Sequence, residues 1–349
     1  MEKIKILGAG LSGLSAAINL AKAGYNVDVF EKSDDCGKRF HGDLEGLENW
    51  SSTTDILDEL ESMNIKTSFN FTPFNEFLFS DGKQLLKSTF DKPVFYIVKR
   101  GFFEDCLDQN IKNQAINLGV NIYFNSKTNY NDVDIISTGP SKNNINMIAK
   151  GMIFETNEDN ITVSLLNKKT SNGGYSYLLI SNGIGCICTV CFREFEHINI
   201  FFKNTREVFE KLFDLKIRKI KNFGGIGRYR IKLRLKKDKK LFTGEAAGLQ
   251  DCLWGFGMRY AFISGYLASK SIIENIDYKK LIKQTILGRV KTSLVNRYLC
   301  EKAGERFNTY LMNQAKKNKD WLTLLYNNYN PSMHTRLIYP FAKWNLSKK

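Results

Sequence analysis

The sequence predicts an α/β fold: a parallel sheet with a glycine turn at its first strand, a mostly antiparallel sheet inserted into it, and a helical tail. Three observations predict it. Residues 3–32, KIKILGAGLSGLSAAINLAKAGYNVDVFEK, read as strand, glycine turn, helix, second strand and terminal carboxylate. Strand and helix patterns then alternate to about residue 140, and short strands succeed one another from about 150 to 236. Beyond Tyr278 the pattern is helical to about Tyr326 and then irregular.

The first stretch carries the chemistry. Ile4, Ile6 and Leu7 form a buried strand, and Gly8, Gly10 and Gly13 follow it in GxGxxG spacing. In a Rossmann-like unit the first glycine permits the tight turn, the second lets backbone approach a pyrophosphate, and the third lets the helix pack on the sheet. The helix N-terminus offers free N–H groups and a positive dipole end to phosphate. Glu31 ends the second strand where a carboxylate binds ribose hydroxyls and disfavours a 2′-phosphate. Gly8, Ala9, Gly10, Leu11, Ser12, Gly13, Glu31 and Lys32 are therefore the candidate dinucleotide contacts. On their own they suit a nicotinamide or a flavin dinucleotide equally.

The remaining elements follow in order. SDDCGKRFHGDLEGLENWSS, after Lys32, reads as a loop, with Asp43, Glu45, Glu48, Asn49 and Trp50 as a polar cluster suited to a ligand. Thr53 or Thr54 caps a helix with Ile56, Leu57, Leu60 and Met63 on one face. Phe77 to Leu86 reads as a hairpin about Asp81-Gly82 with a type I′ turn, Pro93 to Lys99 as a strand, and Gly101 to Leu118 as a helix. Val120–Phe124 and Asp132–Thr138 are short strands, the second stopped by Gly139-Pro140. Met152–Phe154, Ile161–Leu166, Tyr175–Ile180 and Gly185–Phe192 are sequential strands. Arg228 to Lys236 alternates basic and apolar residues, which predicts a strand with a solvated basic face. Leu241–Thr243 is a strand, Gly244–Gly257 a glycine-rich turn, and Met258–Ile273 a helix whose Ala261, Gly265 and Ala268 allow close approach.

Composition bounds the partners. The 349 residues can bury a large core, and 43% hydrophobic with 25% charged residues is ordinary for a globular protein. No apolar run is long enough for a membrane span and no signal peptide precedes the first strand, so a cytoplasmic location is expected. Seven scattered cysteines fit a reducing compartment. The net charge of +15 suits solubility, an acidic partner or an anionic surface. No recognition helix or stacking motif accompanies it, so no nucleic acid is expected. Trp321, Tyr326, Tyr329, Tyr339, Phe341 and Trp344 stand among lysines in the tail, as cover for the core or as a peripheral membrane contact. Cys186, Cys188 and Cys191 lie within an apolar strand and read as buried thiols, so no metal site is assigned. The three histidines lie outside any zincin or nucleophile-elbow context.

Four segments together carry a resemblance. The opening fingerprint, YIVKRGFFEDCL at 96–107, DIISTGPS at 134–141 and LFTGEAAGLQDCLWGFGMRYAFISGYLA at 241–268 are similar in order and spacing to FAD-dependent oxidoreductases of the glutathione-reductase-like, hydroxylase-like fold. Among these the chain most resembles the geranylgeranyl reductases, with Gly174-Tyr175-Ser176-Tyr177 where that branch keeps Gly-Tyr-x-Trp. The resemblance covers residues 1 to about 275.

It implies FAD as cofactor, with Arg100 near the phosphates, Gly139 under the ADP moiety, Gly244 and Glu245 at the ribityl and pyrophosphate region, and Gly255, Gly257 and Met258 at the flavin edge. It implies Tyr175, Tyr177 and Trp254 as substrate contacts, and names no catalytic residue. Glu245 stands for the usual aspartate, Tyr177 for tryptophan, and the cysteine often found facing the flavin has no clean counterpart. The implied division is 1–60, 94–150 and 237–275 for the FAD domain, 61–93 and 151–236 for the substrate domain, and 276–349 for the helical tail. The expected activity is electron transfer through flavin to or from a small apolar substrate, with an isoprenoid double bond as one form. A flavin monooxygenase and a flavin-free prenyl-binding escort are the alternatives. No second dinucleotide fingerprint is present, which leaves transiently bound NAD(P)H and a small redox protein both open as electron donor.

Overall fold

A computed structural model describes residues 2–141, 143, 145–317 and 321–348. In chain order the elements are β1 (Lys3–Leu7), α1 (Leu11–Lys22), β2 (Asn26–Phe30), β3 (Leu44–Glu48), α2 (Ile56–Ser62), β4 (Phe71–Phe74), β5 (Glu76–Ser80), β6 (Leu85–Thr89), β7 (Phe95–Lys99), α3 (Leu107–Asn117), β8 (Asn121–Tyr123) and β9 (Ile135–Ile136). There follow β10 (Met147–Glu155), β11 (Ile161–Leu165), β12 (Tyr175–Ser181), β13 (Ile184–Cys191), α4 (Ile198–Phe213), β14 (Arg218–Gly227), β15 (Lys236–Lys237) and β16 (Lys240–Phe242). The rest is helical: α5 (Gly244–Ala247), α6 (Met258–Ile273), α7 (Tyr278–Thr285), α8 (Leu287–Ala303), α9 (Glu305–Lys317), α10 (Trp321–Tyr329) and α11 (Met333–Leu346).

These elements build three sheets. The first runs β15-β16-β9-β1-β2-β8, parallel from β16 to β8. The second runs β14-β10-β13-β12-β11-β5-β6 and is antiparallel except where β11 meets β5. A three-stranded antiparallel sheet, β3-β7-β4, is the third. The α/β class with a parallel sheet, a mostly antiparallel sheet and a helical C-terminal region is therefore observed.

Helix α1 is the axle of the parallel layer. Every residue from Leu11 to Leu20 is buried, because the sheet covers one side and α6 the other. The two helices touch backbone to backbone: a Cβ on Gly265 would lie 2.1 Å from the Ser12 carbonyl oxygen, and the Ser15 hydroxyl donates to the Phe262 carbonyl at 2.9 Å. The small-residue face of α6 thus does what its spacing predicts.

Several expectations are corrected. Asp55, rather than Thr53 or Thr54, caps α2, its carboxylate accepting from the Leu57 N–H at 2.9 Å. The β5–β6 hairpin pairs Ser80 with Leu85, so its loop has four residues instead of two; Asp81 accepts from the N–H groups of Lys83 and Gln84 and stabilises the wider turn. The segment after Lys32 contains β3, held by β7. Gly101 to Cys106 is non-helical, and α3 begins only at Leu107. Residues 228–235 form no strand, because their backbone bonds go elsewhere: the Arg234 N–H donates to the Ala247 carbonyl and the Leu235 carbonyl accepts from Phe242. The tail beyond Tyr326 continues as helix, with α11 started by a Ser332–Thr335 capping box despite Pro340 inside it.

Candidate functional site

The glycine turn sits at the C-terminal edge of the parallel sheet, and each glycine is held for a different reason. Gly8 has φ +104°, and a Cβ there would lie 2.5 Å from the Ser137 carbonyl oxygen. A Cβ on Gly13 would lie 2.1 Å from the Gly8 carbonyl oxygen. Gly10 differs: its φ is −82°, an ordinary value, and a Cβ would meet no atom within 4 Å. The protein itself does not require glycine there; open space lies over the first turn of α1, as a ligand-holding turn needs.

Glu31 closes this turn from the end of β2. Its carboxylate accepts from the Ala9 and Ser33 N–H groups, each at 3.0 Å, while Lys32 beside it is exposed. Leu11 and Ser12 are buried in the first turn of α1. Ser12 reaches the second glycine segment: a Cβ on Gly244, which has φ +52°, would lie 2.9 Å from the Ser12 hydroxyl oxygen. Ser137 at the end of β9 and Thr243 at the end of β16 share a buried 2.6 Å hydroxyl contact. The three strand ends and α1 therefore bring residues 8–13, 137–139 and 243–245 to one edge.

Arg39 crosses that edge. Its Nη1 is 2.5 Å from a Glu245 carboxylate oxygen, Nη2 donates to the Ile226 carbonyl, and a Cβ on Gly139 would lie 3.9 Å from Nη1. This half-exposed cation, positioned between Gly139 and Glu245, is suited to a polyphosphate. Sequence reasoning missed it, because its partners lie about 190 and 206 residues away and leave no local signal. Arg100, by contrast, is buried in a bidentate pair with Asp108 at 2.9 Å, a 3.1 Å bond to Glu45, and a cation–π contact 4.0 Å from the Phe40 ring centroid.

The second glycine segment is knotted by Asp251. This fully buried carboxylate accepts from the N–H groups of Leu253, Trp254 and Gly255 at 3.2, 2.7 and 3.1 Å, and its own N–H donates to the Phe256 carbonyl. Burial outweighs those bonds and pushes the carboxyl up to about 6. Gly255 has φ +84° and Gly257 caps α6, whose first residue is the buried Met258. Gln250, also buried, donates to the Gly255 carbonyl at 2.6 Å, while its Oε1 has no partner among the described residues. An unsatisfied buried acceptor beside a helix N-terminus is a costly arrangement that a ligand donor relieves. An Asp before a loop of this kind is an Asx-turn signal visible in the sequence.

The three predicted substrate residues meet. The Tyr175 hydroxyl donates to the Trp254 carbonyl at 2.9 Å, and the two rings are edge to face with centroids 5.3 Å apart. Tyr177 follows at 6.0 Å from Tyr175. Glu45 lies within electrostatic reach of both tyrosines, and burial pushes its carboxyl up to about 7 despite Arg100. Burial likewise raises Asp43, Cys186, Cys188 and both tyrosine hydroxyls, so ionisation of each is disfavoured in this region.

The rest of the early polar cluster is committed to packing. Glu48 pairs with Arg259 at 2.8 Å and accepts from Ser51, and Asn49 bonds Asp55 and Ile56. Trp50 packs edge to face with Phe95, Phe256 and Tyr329.

Comparison with known proteins places the architecture. A model of the NAD(P)-binding Rossmann-like domain matches residues 6–43. The solved geranylgeranyl bacteriochlorophyll reductase-like protein of Thermoplasma acidophilum superposes with a TM-score of 0.65 at 18% identity, covering 100% of this chain and 99% of that one. The fold is that of the flavin-dependent oxidoreductases. The flavin-dependent brominase Bmp2 shares this flavoprotein fold with a TM-score of 0.67, 15% identity and coverage of 99% and 98%. The p-nitrophenol 4-monooxygenase of Pseudomonas putida shares it with a TM-score of 0.60, 13% identity and coverage of 95% and 100%. In sequence, the 1-hydroxycarotenoid 3,4-desaturase of a Flavobacterium species is 35% identical over 79 residues, 20% of this chain and 16% of that protein. The matched stretches span less than a fifth of the length of the curated relatives.

Proposed function

We propose that this flavoprotein fold binds FAD and works as an oxidoreductase of the geranylgeranyl-reductase kind, passing electrons to or from a small apolar substrate. The observation that carries the reading is the open space over Gly10, at the same sheet edge as Glu31, Arg39, Gly244 and Glu245. Under this reading the N–H groups of residues 10–13 and Arg39 take the pyrophosphate, Glu31 the adenosine ribose, Gly139 the ADP backbone and Glu245 a ribityl hydroxyl. The α6 N-terminus at Gly255–Met258, with the Gln250 acceptor, takes the polar edge of the flavin. Bound flavin supplies hydride or single-electron chemistry, and the protein supplies binding and orientation.

Tyr175, Tyr177 and Trp254 would form the apolar wall for the substrate, with Glu45, its carboxyl raised to about 7 by burial, at its edge as a group that can give or take a proton near neutral pH. The proposed division of labour assigns 1–60, 94–150 and 237–275 to cofactor, 61–93 and 151–236 to substrate and 276–349 to the helical tail. The electron donor is NAD(P)H or a small redox protein.

The test is to load the chain with FAD, reduce it without oxygen and offer two acceptors. Reoxidation by a prenyl lipid supports the reductase. Reoxidation that needs oxygen and yields a hydroxylated aromatic supports a monooxygenase, the second reading, favoured by the p-nitrophenol 4-monooxygenase of the same fold. A colourless chain that takes up no FAD would sink both and leave the prenyl-binding escort.

A further inference from the structure

We propose that α11 is an interfacial helix that seats this chain on an anionic lipid bilayer. Four large apolar side chains of α11 stand in solvent: Met333 is 76% exposed, Leu337 66%, Phe341 66% and Trp344 59%. Their spacing of four, four and three residues puts them on a single helix face. The opposite face is committed, since Ala342 and Leu346 are buried and α11 packs along α8. The helix cannot roll to hide the stripe without emptying that contact.

The charges around the stripe select its occupant. Arg336 and Lys343 are exposed along one flank, and the Lys348 ammonium lies 3.3 Å from the Trp344 ring centroid. Residues 331–348 contain no aspartate or glutamate. A second copy of this chain would bring the same cations against one another, on a protein already at +15. An anionic bilayer satisfies both halves: acyl chains receive the apolar stripe, while headgroup phosphates receive the flanking cations. Lysine stems running along the apolar boundary suit that level of the interface. Among the described residues no helix is long and apolar enough to cross a membrane, so α11 lies in the plane of the surface.

The buried side of α11 adds a reason for this placement. Leu346 and Tyr339 pack into the cluster that contains Cys252 and receives Tyr175 and Tyr177. A bilayer under α11 therefore lies on the far side of a packed cluster that also supports the wall proposed for the apolar substrate. The docking itself stands on α11 alone and does not require the redox reading.

The test uses the whole chain and sedimented vesicles of phosphatidylcholine, with and without phosphatidylglycerol. The wild-type chain should pellet with the anionic vesicles at low salt and remain in solution with the neutral ones. The triple variant Leu337→Ser, Phe341→Ser, Trp344→Ser should stay in solution with both while keeping the wild-type melting temperature, since these side chains touch solvent. Arg336→Ser and Lys343→Ser should each weaken binding about fivefold at low salt, the equivalent of roughly 1 kcal/mol per charge. A wild-type chain that ignores anionic vesicles, or a triple variant that pellets like wild type, overturns the proposal. So does a wild-type dimer in sedimentation velocity that the triple variant converts to monomer.

Discussion

At the scale of single residues, Gly10 and Gly13 make a controlled comparison. Both belong to one fingerprint, yet only Gly13 is enclosed by protein. Gly10→Ala should therefore fold with the wild-type melting temperature and lose most of its FAD affinity. Gly13→Ala should be destabilised before any cofactor is added, because its Cβ overlaps the Gly8 carbonyl. Thermal melts with and without FAD, beside a flavin-fluorescence titration, separate the two. A Gly10→Ala chain with unchanged affinity would remove the turn from the site. Arg39→Ala should likewise spare the melt of the free chain and weaken FAD, as a half-exposed cation is withdrawn from the sheet edge.

Asp251 provides a pH test at the same scale. Its carboxyl is raised from 3.8 to about 6, so the folded chain holds this proton more tightly than the unfolded chain does. The contribution of Asp251 to stability is greatest below about pH 4 and declines as pH rises through about 6. Asp251→Asn has no proton to lose, so the advantage of wild type over this variant should shrink between pH 4 and 7 in melts of the FAD-free chain. A constant difference would show that the carboxyl titrates normally.

At the scale of elements, the α1–α6 crossing is the joint that matters. Gly265 lets α6 approach until only backbone separates it from Ser12. Gly265→Leu should force the helices apart and cost on the order of 1 to 3 kcal/mol, the usual range for overpacking. Urea denaturation measures it, and a neutral result would mean the crossing is loose. This joint was legible in the sequence, because Ala261, Gly265 and Ala268 repeat on one side of an evident helix. The segment 228–235 was not: its alternation of arginine and lysine with Tyr229, Ile231, Leu233 and Leu235 is a strand pattern, and only the tertiary bonds of Arg234 and Leu235 to the α5 turn and β16 divert it. Helix α11 was hidden for the opposite reason, since Pro331 and Pro340 disfavour a helix locally while the Ser332–Thr335 box supplies its start.

At the scale of the molecule, the proposed site is split across the chain, and that sets what sequence could reveal. Residues 8–13 with Glu31 form one local unit, readable as strand, turn, helix and acid. Gly244, Gly255 and Tyr175 gained a proposed role only through resemblance, because nothing local marks them. Arg39 and Gln250, which the proposed site adds, gave no signal, since a surface arginine and a loop glutamine look the same in sequence whatever they face. The tail aromatics divide only in three dimensions: Trp321 and Tyr329 are buried core, whereas Phe341 and Trp344 face outward.

The contact of Ser12 with Gly244 and Gly265 also has a meaning in time. During synthesis at about 5–20 residues per second, the glycine turn leaves the ribosome roughly 10 to 50 s before α6 exists to close over it. Through that interval α1, buried on every side in the finished protein, has one flank bare. Until residue 265 arrives that flank has no partner helix, and a cofactor captured before then would meet only half of the cradle proposed for it.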